Sequence, residues 1–208
     1  MSKFTVTITR EFGSGGRTIG KMLAERLGIP YYDNELIKLA SEESGINESL
    51  FTEADESRRT ALFKKYNRSF GDKLISPESG EFTSDDNLFN YQAKIIKQLA
   101  ERESCVIVGR CANYVLREHE HVLRVFTYAS EDFCVEQVKK LYGLSDKEAL
   151  RQIERIDRAR STYYRYYTGA EWDNARHYDL CLNTSELGFE RCVELIQHYI
   201  NVLYLNEN

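Results

Sequence analysis

Phe4–Leu27 reads FTVTITREFGSGGRTIGKMLAERL. Its first third is an apolar, β-branched run with Phe4, Val6 and Ile8, which reads as a buried strand. The turn Gly13-Ser14-Gly15-Gly16 follows, then Arg17-Thr18 and an amphipathic helix with Ile19, Met22, Leu23 and Leu27 on one face. Strand, glycine turn and helix N-terminus together make a phosphate cradle. Glycines let backbone N–H groups converge on an anion, and the helix dipole adds positive potential there. A nucleotide or another phosphorylated ligand is therefore the expected partner.

Two registers fit the phosphate-loop pattern G-x-x-x-x-G-K-[ST]. With Gly16 as the last glycine, Arg17 stands at the lysine position, Thr18 is the magnesium-binding hydroxyl and Glu11 replaces the first glycine. Arg17 would then hold phosphate as a planar fork rather than a point charge. With Gly15 as the last glycine, Gly16 stands at the lysine position. The charge must then come from elsewhere, with Arg10, Lys21 and the arginines described below as sources. A dinucleotide loop also has a partial match, because Gly13-x-Gly15-x-x-Thr18 approaches G-x-G-x-x-G and Asp33 lies 20 residues after Gly13. Against it, Thr18 replaces the glycine that would pack helix on strand.

Outward from the loop, short apolar runs alternate with helical patterns. Strands are expected at Phe4–Thr9, Pro30–Tyr32, Cys105–Val108, Val122–Thr127 and Tyr178–Asn183. Helices are expected at Thr18–Leu27, Asn34–Ser44, Asp86–Arg102, Glu131–Tyr142, Ser145–Tyr167 and Gly188–Leu205, with Ser145-Asp146-Lys147-Glu148 as a capping box. This alternation predicts an α/β fold, a parallel sheet with helices on both faces. Residues 45–85 fit no strand and carry Arg58, Arg59, Lys64, Lys65 and Arg68. They read as one or two helices and a mobile loop, either closing over an acceptor or forming a solvated excursion.

The 208 residues suffice for a single α/β domain, and 42% apolar content supports a real core. A net charge of −5 argues against a nucleic-acid polymer as partner. The sequence has neither a signal-peptide pattern nor a membrane-spanning apolar run, so a soluble, cytoplasmic chain with no membrane partner is expected. The five cysteines are widely spaced without C-x-x-C, which argues against a disulfide framework or zinc site. Cys105 and Cys181, in apolar strand runs, read as buried thiols. His119 and His121 read as part of a solvated turn.

Two further stretches carry chemistry. In Ile107-Val108-Gly109-Arg110-Cys111 a strand runs into Gly-Arg, placing Arg110 at the carboxyl edge of the sheet, where α/β folds bind ligands. Arg110 would hold an acceptor phosphate, with Asn113 as a neutral neighbour. In Arg155-Ile156-Asp157-Arg158-Ala159-Arg160 a helix presents guanidiniums that would reach the transferring phosphoryl group, with Asp157 orienting one. The tyrosines that follow would stack on a base or a partner subunit. A homodimer would use that stretch or the C-terminal stripe Val193, Ile196, Ile200 and Leu203, which also reads as core packing.

The ordered set ITREFGSGGRTIG, LGIPYYDNELI, VIVGRCANYVL, IDRARSTYYRYYTG and YDLCLNTSELG resembles the cytidylate kinase-like family, a branch of the P-loop nucleoside monophosphate kinases. The resemblance runs across nearly the whole chain except roughly residues 45–85, which are read separately as a helical or mobile acceptor insertion. It implies a P-loop kinase fold with a five-stranded parallel sheet, a nucleotide-acceptor region and an arginine-bearing lid near 145–175. It implies transfer from ATP, with Mg2+, to CMP or dCMP. Gly13, Ser14, Gly15, Gly16, Arg17 and Thr18 match the ATP loop, with Arg17 also catalytic and Thr18 on the metal. Asp33 matches the acid opening the acceptor helix, Gly109-Arg110 the acceptor site, and Arg158 and Arg160 the lid arginines. The chain departs from the family at four points. No loop lysine is present, Leu39 with Lys38 beside it stands in place of an acceptor arginine, Cys111 replaces a base-reading aspartate, and Cys134 replaces an earlier lid arginine. With the lysine gone, a nucleotide-binding or sensing protein on the same scaffold is the alternative expectation.

Overall fold

In the computed structural model of the chain, residues 3–56 and 70–205 are described. Arg58, Arg59, Lys64, Lys65 and Arg68 lie outside the described residues. Five strands, β1 (Thr5–Arg10), β2 (Tyr31–Tyr32), β3 (Cys105–Val108), β4 (Val122–Tyr128) and β5 (Leu180–Asn183), form one parallel sheet in the order β2-β3-β1-β4-β5. The register places Thr5 beside Cys105 on one side and Val122 on the other. A dinucleotide fold of order 3-2-1-4-5-6 would set β2 next to β1. Here β3 lies between them, so the acid after β2 faces the glycine loop across the arm that follows β3.

The helices are α1 (Gly16–Leu27), α2 (Glu35–Ser44), α3 (Glu48–Glu56), α4 (Asp85–Arg102), α5 (Ala112–Val115), α6 (Glu131–Tyr142), α7 (Asp146–Thr168) and α8 (Thr184–Ile200). Successive strand residues point to opposite faces, and each face has its own core. Val6, Ile8, Val106, Val108, Leu123 and Val125 pack with Ile19 and Leu23 of α1 and Val193, Ile196 and Ile200 of α8. Three members of the C-terminal stripe are thus core, and its last, Leu203, is exposed. On the other face, Cys105, Ile107, Val122 and Phe126 meet α2, α4, α5 and the end of α7. Cys181 corrects its expectation: β5 is an edge strand, and this thiol points outward and is exposed. Among the described residues no helix is long and apolar enough to cross a membrane.

Two local features position the site. Helix α7 starts at its capping box, where the Ser145 N–H donates to Glu148 Oε2 at 2.9 Å. Its far end is anchored, because Tyr167 stacks on Phe89 of α4 with centroids 3.8 Å apart. The helix face between these ends is therefore fixed relative to the sheet. The loop before α4 is held at two points by Asn87, which is fully buried. Its Nδ2 donates to the Phe82 carbonyl at 2.7 Å and its Oδ1 accepts the Ile75 N–H at 2.9 Å. Asn87→Ala strands both backbone groups and is expected to cost about 1–3 kcal/mol. At about 2–4 °C per kcal/mol for a chain of this size, a thermal melt checks it.

Candidate functional site

The carboxyl edge of the sheet gathers three arms. The first leaves β1 as residues 11–15 and enters α1. Gly13 and Gly15 have φ of 93° and 80°, which glycine adopts without strain. A Cβ on Gly13 would lie 2.8 Å from the Cys134 carbonyl of α6, and one on Gly15 would strike the Phe189 ring of α8. The loop is therefore pinned between two helices. Ser14 turns its hydroxyl inward onto the carbonyls of Glu11 at 2.9 Å and Thr127 at 3.1 Å, leaving only its backbone near a ligand. Its N–H closes the turn onto Glu11. The first N–H groups of α1 have no partner within the helix, so they and the dipole face the loop mouth. Thr18 is exposed on the first turn.

The second arm is Gly109-Arg110-Cys111 after β3, with φ of 79°, 52° and 55°. Two non-glycine residues held left-handed in succession are strained, and such strain gathers at functional sites. The bend aims the Arg110 guanidinium back under the sheet edge. Its Nε donates to the Asp33 carbonyl at 3.4 Å and its Nη1 to Gln92 Oε1 at 3.1 Å. The third arm is α7. Arg160 Nη1 donates to the Arg10 carbonyl at 3.1 Å, and its guanidinium lies 5.4 Å from the Phe12 ring centre. Asp157 Oδ1 accepts the Phe12 N–H at 2.8 Å, docking α7 on the glycine loop.

The arms enclose a cavity of about 610 Å³, within the range of roughly 300–1,000 Å³ for small-molecule sites. Arg10, Arg17, Arg110 and Arg160 line it around the buried carboxylate of Asp33. Arg17 Nε lies 2.6 Å and Arg10 Nη2 3.8 Å from that carboxylate. Burial lowers the pKa of Arg10 to about 9, and also lowers those of Arg110 and Arg160. Burial of cations is unfavourable in water-poor surroundings, so this lining favours an anion. Burial likewise raises the pKa of Asp157, the partner of Arg160. Phe12, Ile37, Glu48, Thr52, Tyr142, Arg155, Tyr164 and Trp172 contribute to the rest of the lining.

The residues singled out in the sequence fare differently. Arg17, Asp33, Arg110 and Arg160 meet in the cavity. Arg158 does not, since it is exposed and outside the lining. At roughly 100° per residue, residues two apart on a helix point about 200° apart. Arg158 and Arg160 therefore face opposite ways. Lys38 is also exposed, pairing with Glu42 at 3.9 Å, while its neighbour Ile37 faces the cavity. Asn113 is buried away from the cavity, donating to the Tyr164 hydroxyl at 3.0 Å. Phe12, Gln92, Tyr142 and Trp172 were not anticipated; α7 residues 155, 156, 159, 160, 163 and 164 follow helical spacing and carried that signal.

The family described as "Cytidylate kinase-like family" matches residues 5–186. Among curated relatives, the cytidylate kinase of Fervidobacterium nodosum is 27% identical over 172 residues, covering 74% of this chain and 78% of that one. That of Archaeoglobus fulgidus is 23% identical over 201 residues, covering 95% and 94%. Among solved structures, an uncharacterized protein from Eubacterium ventriosum superposes with TM-score 0.71 at 26% identity, covering 96% of this chain and 99% of that one. A shikimate kinase from Bacteroides thetaiotaomicron shares the fold, with TM-score 0.55 at 18% identity and the same coverage.

Proposed function

The chain belongs to the cytidylate kinase-like family, and from that premise we propose that it is a magnesium-dependent kinase moving the γ-phosphate of ATP to a small phosphorylated acceptor, CMP or dCMP first among them. The observation that carries this is the convergence of Arg17, Arg110 and Arg160, from three separate elements, on one cavity beside the glycine loop. A phosphoryl group passing between two phosphates develops spread negative charge. Positioning and fixed positive charge are nearly all that its transfer requires.

The residues present fit an ATP–magnesium donor. The N–H groups of Gly13, Gly15 and Gly16 and the α1 dipole suit a polyphosphate, with the Ser14 backbone completing the loop. Arg17 on the first turn would steady it. Magnesium bound to nucleotide phosphates needs few protein ligands, and the exposed Thr18 hydroxyl is the group that would contribute. When bound, the metal neutralises phosphate charge. Arg110, braced by Gln92, holds the acceptor phosphate, and Asp33 fixes Arg17. An acceptor phosphate is already a competent nucleophile, so no general base is invoked. Arg160, set by Asp157 and the Arg10 carbonyl, stabilises charge on the transferring group.

The missing loop lysine favours a second reading, a nucleotide-binding protein without turnover. Incubation with ATP, with and without magnesium, against a panel of nucleoside monophosphates separates the two. Chromatography should show ADP and a nucleoside diphosphate forming together only with magnesium. Tight ATP binding with no diphosphate from any acceptor would favour the second reading.

A further inference from the structure

We propose that Arg10, the last residue of β1, grips the terminal phosphate of the donor nucleotide and so replaces the lysine side chain of the phosphate-loop pattern. The inference rests on the kinase reading above for the identity of the donor. Its first support is steric. A Cβ on Gly16 would lie 2.6 Å from Arg10 Cβ, 2.7 Å from Thr127 Oγ1 and 3.1 Å from Arg10 Cγ. A side chain at position 16 and the Arg10 stem therefore exclude each other. With Gly15 as the last glycine of the pattern, position 10 is the first glycine, position 16 the lysine and position 17 the hydroxyl residue, here Arg17, which leaves the neighbouring exposed Thr18 as the hydroxyl of the first turn. The usual arrangement puts no side chain at 10 and a cation at 16, and this chain does the reverse. The cation enters the same space from the strand instead of the helix.

The second support is where the guanidinium ends. Arg10 Nη1 lies against Gly109, so closely that a Cβ there would strike it. Arg10 thus spans from the donor loop at its stem to the acceptor arm at its head, the path a phosphoryl group travels. Its Nε is buried without a hydrogen-bond partner, although buried donors are nearly always satisfied. Its nearest carboxylate, Asp33, is 3.8 Å away and shared with Arg17. An anion in the cavity supplies what these donors lack. During transfer an acceptor oxygen forms a bond to the γ-phosphorus as the bond from that phosphorus to the ADP oxygen breaks. Arg10 keeps its protons and only donates hydrogen bonds.

Calorimetric binding of ATP·Mg and ADP·Mg to wild type, Arg10→Met and Arg10→Lys tests this without requiring turnover. Wild type should prefer ATP·Mg. In Arg10→Met that preference should fall by about 10- to 100-fold, the span expected for hydrogen bonds to a charged group, with ADP·Mg affinity nearly unchanged. Arg10→Lys should recover part of it, which a purely packing role would not do. The thermal midpoint of Arg10→Met should not fall, because a buried cation with an unsatisfied Nε and one distant carboxylate, shared with Arg17, is removed. If Arg10→Met fails to fold, Arg10→Lys decides: complete loss of the ATP preference in that folded, still cationic variant overturns the role. A wild type with no ATP preference, or a folded Arg10→Met that keeps it, also overturns the role. A wild type that prefers ATP·Mg through Arg10 yet phosphorylates no acceptor upholds Arg10 and refutes the kinase reading.

Discussion

Replacing Arg160 by alanine is expected to lower kcat by about 10²- to 10³-fold, the loss typical of removing one preorganised donor to developing charge. Arg158→Ala, two residues away, should stay within about threefold of wild type, as an exposed surface change does. The contrast follows from helix geometry. Tyr167 on Phe89 and the Ser145 cap hold α7 in one rotation about its axis. In that rotation Arg160 points at the Arg10 carbonyl and Arg158 at solvent. Asp157 keeps the Phe12 N–H as a partner when Arg160 is removed, so the loop should stay docked. Steady-state rates for the two variants at saturating substrates make the comparison. Equal losses would mean that α7 turns about its axis during the reaction.

Arg110→Ala is expected to raise the acceptor KM by about 30-fold or more, since truncating one member of a buried charge-assisted pair costs 2 kcal/mol or above. The ATP KM should change far less. Arg110 leaves the strand on a left-handed bend and reaches Gln92 of α4 and the Asp33 carbonyl, on the side where the proposed acceptor would sit. Arg110→Lys should recover only part of the loss, because a point charge cannot reproduce the planar fork. Separate KM determinations for donor and acceptor check this. Equal increases in both would move Arg110 out of the acceptor site.

Much of this architecture is legible in the residues. Each expected strand and long helix is present, most with ends shifted by one or two positions, because period-two and period-3.6 patterns report burial directly. Helix α5, four residues long, is too short for any period to show. A short helical segment from Thr184 precedes the helix expected from Gly188, and the two meet at a kink where Gly188 has a non-helical φ of 71°. Strand order is not a local property, and the alternation alone did not set β3 between β2 and β1.

The site divides the same way. Asp33, Gly109 and Arg110 follow strand ends, and strand ends in parallel sheets face the binding edge. Their placement could be reasoned from position alone. Arg158 against Arg160 depends on how α7 is rotated, which long-range packing by Tyr167 decides. Ser14 and Asn113 are polar within motif-like stretches, yet both serve the interior, on Thr127 and Tyr164. Arg10 stood open as one of several sources of charge. What singles it out is the contact of its stem with Gly16 and its head with Gly109, 93 residues apart in sequence between those two glycines.

The most direct test follows the label from γ-phosphate-labelled ATP in the presence of magnesium and CMP, with wild type and Arg160→Ala side by side. Label appearing in CDP with wild type, and slowed by two orders of magnitude or more in the variant, is the predicted result. Label that stays in ATP, or passes only to inorganic phosphate, with CMP and every other nucleoside monophosphate would contradict the account.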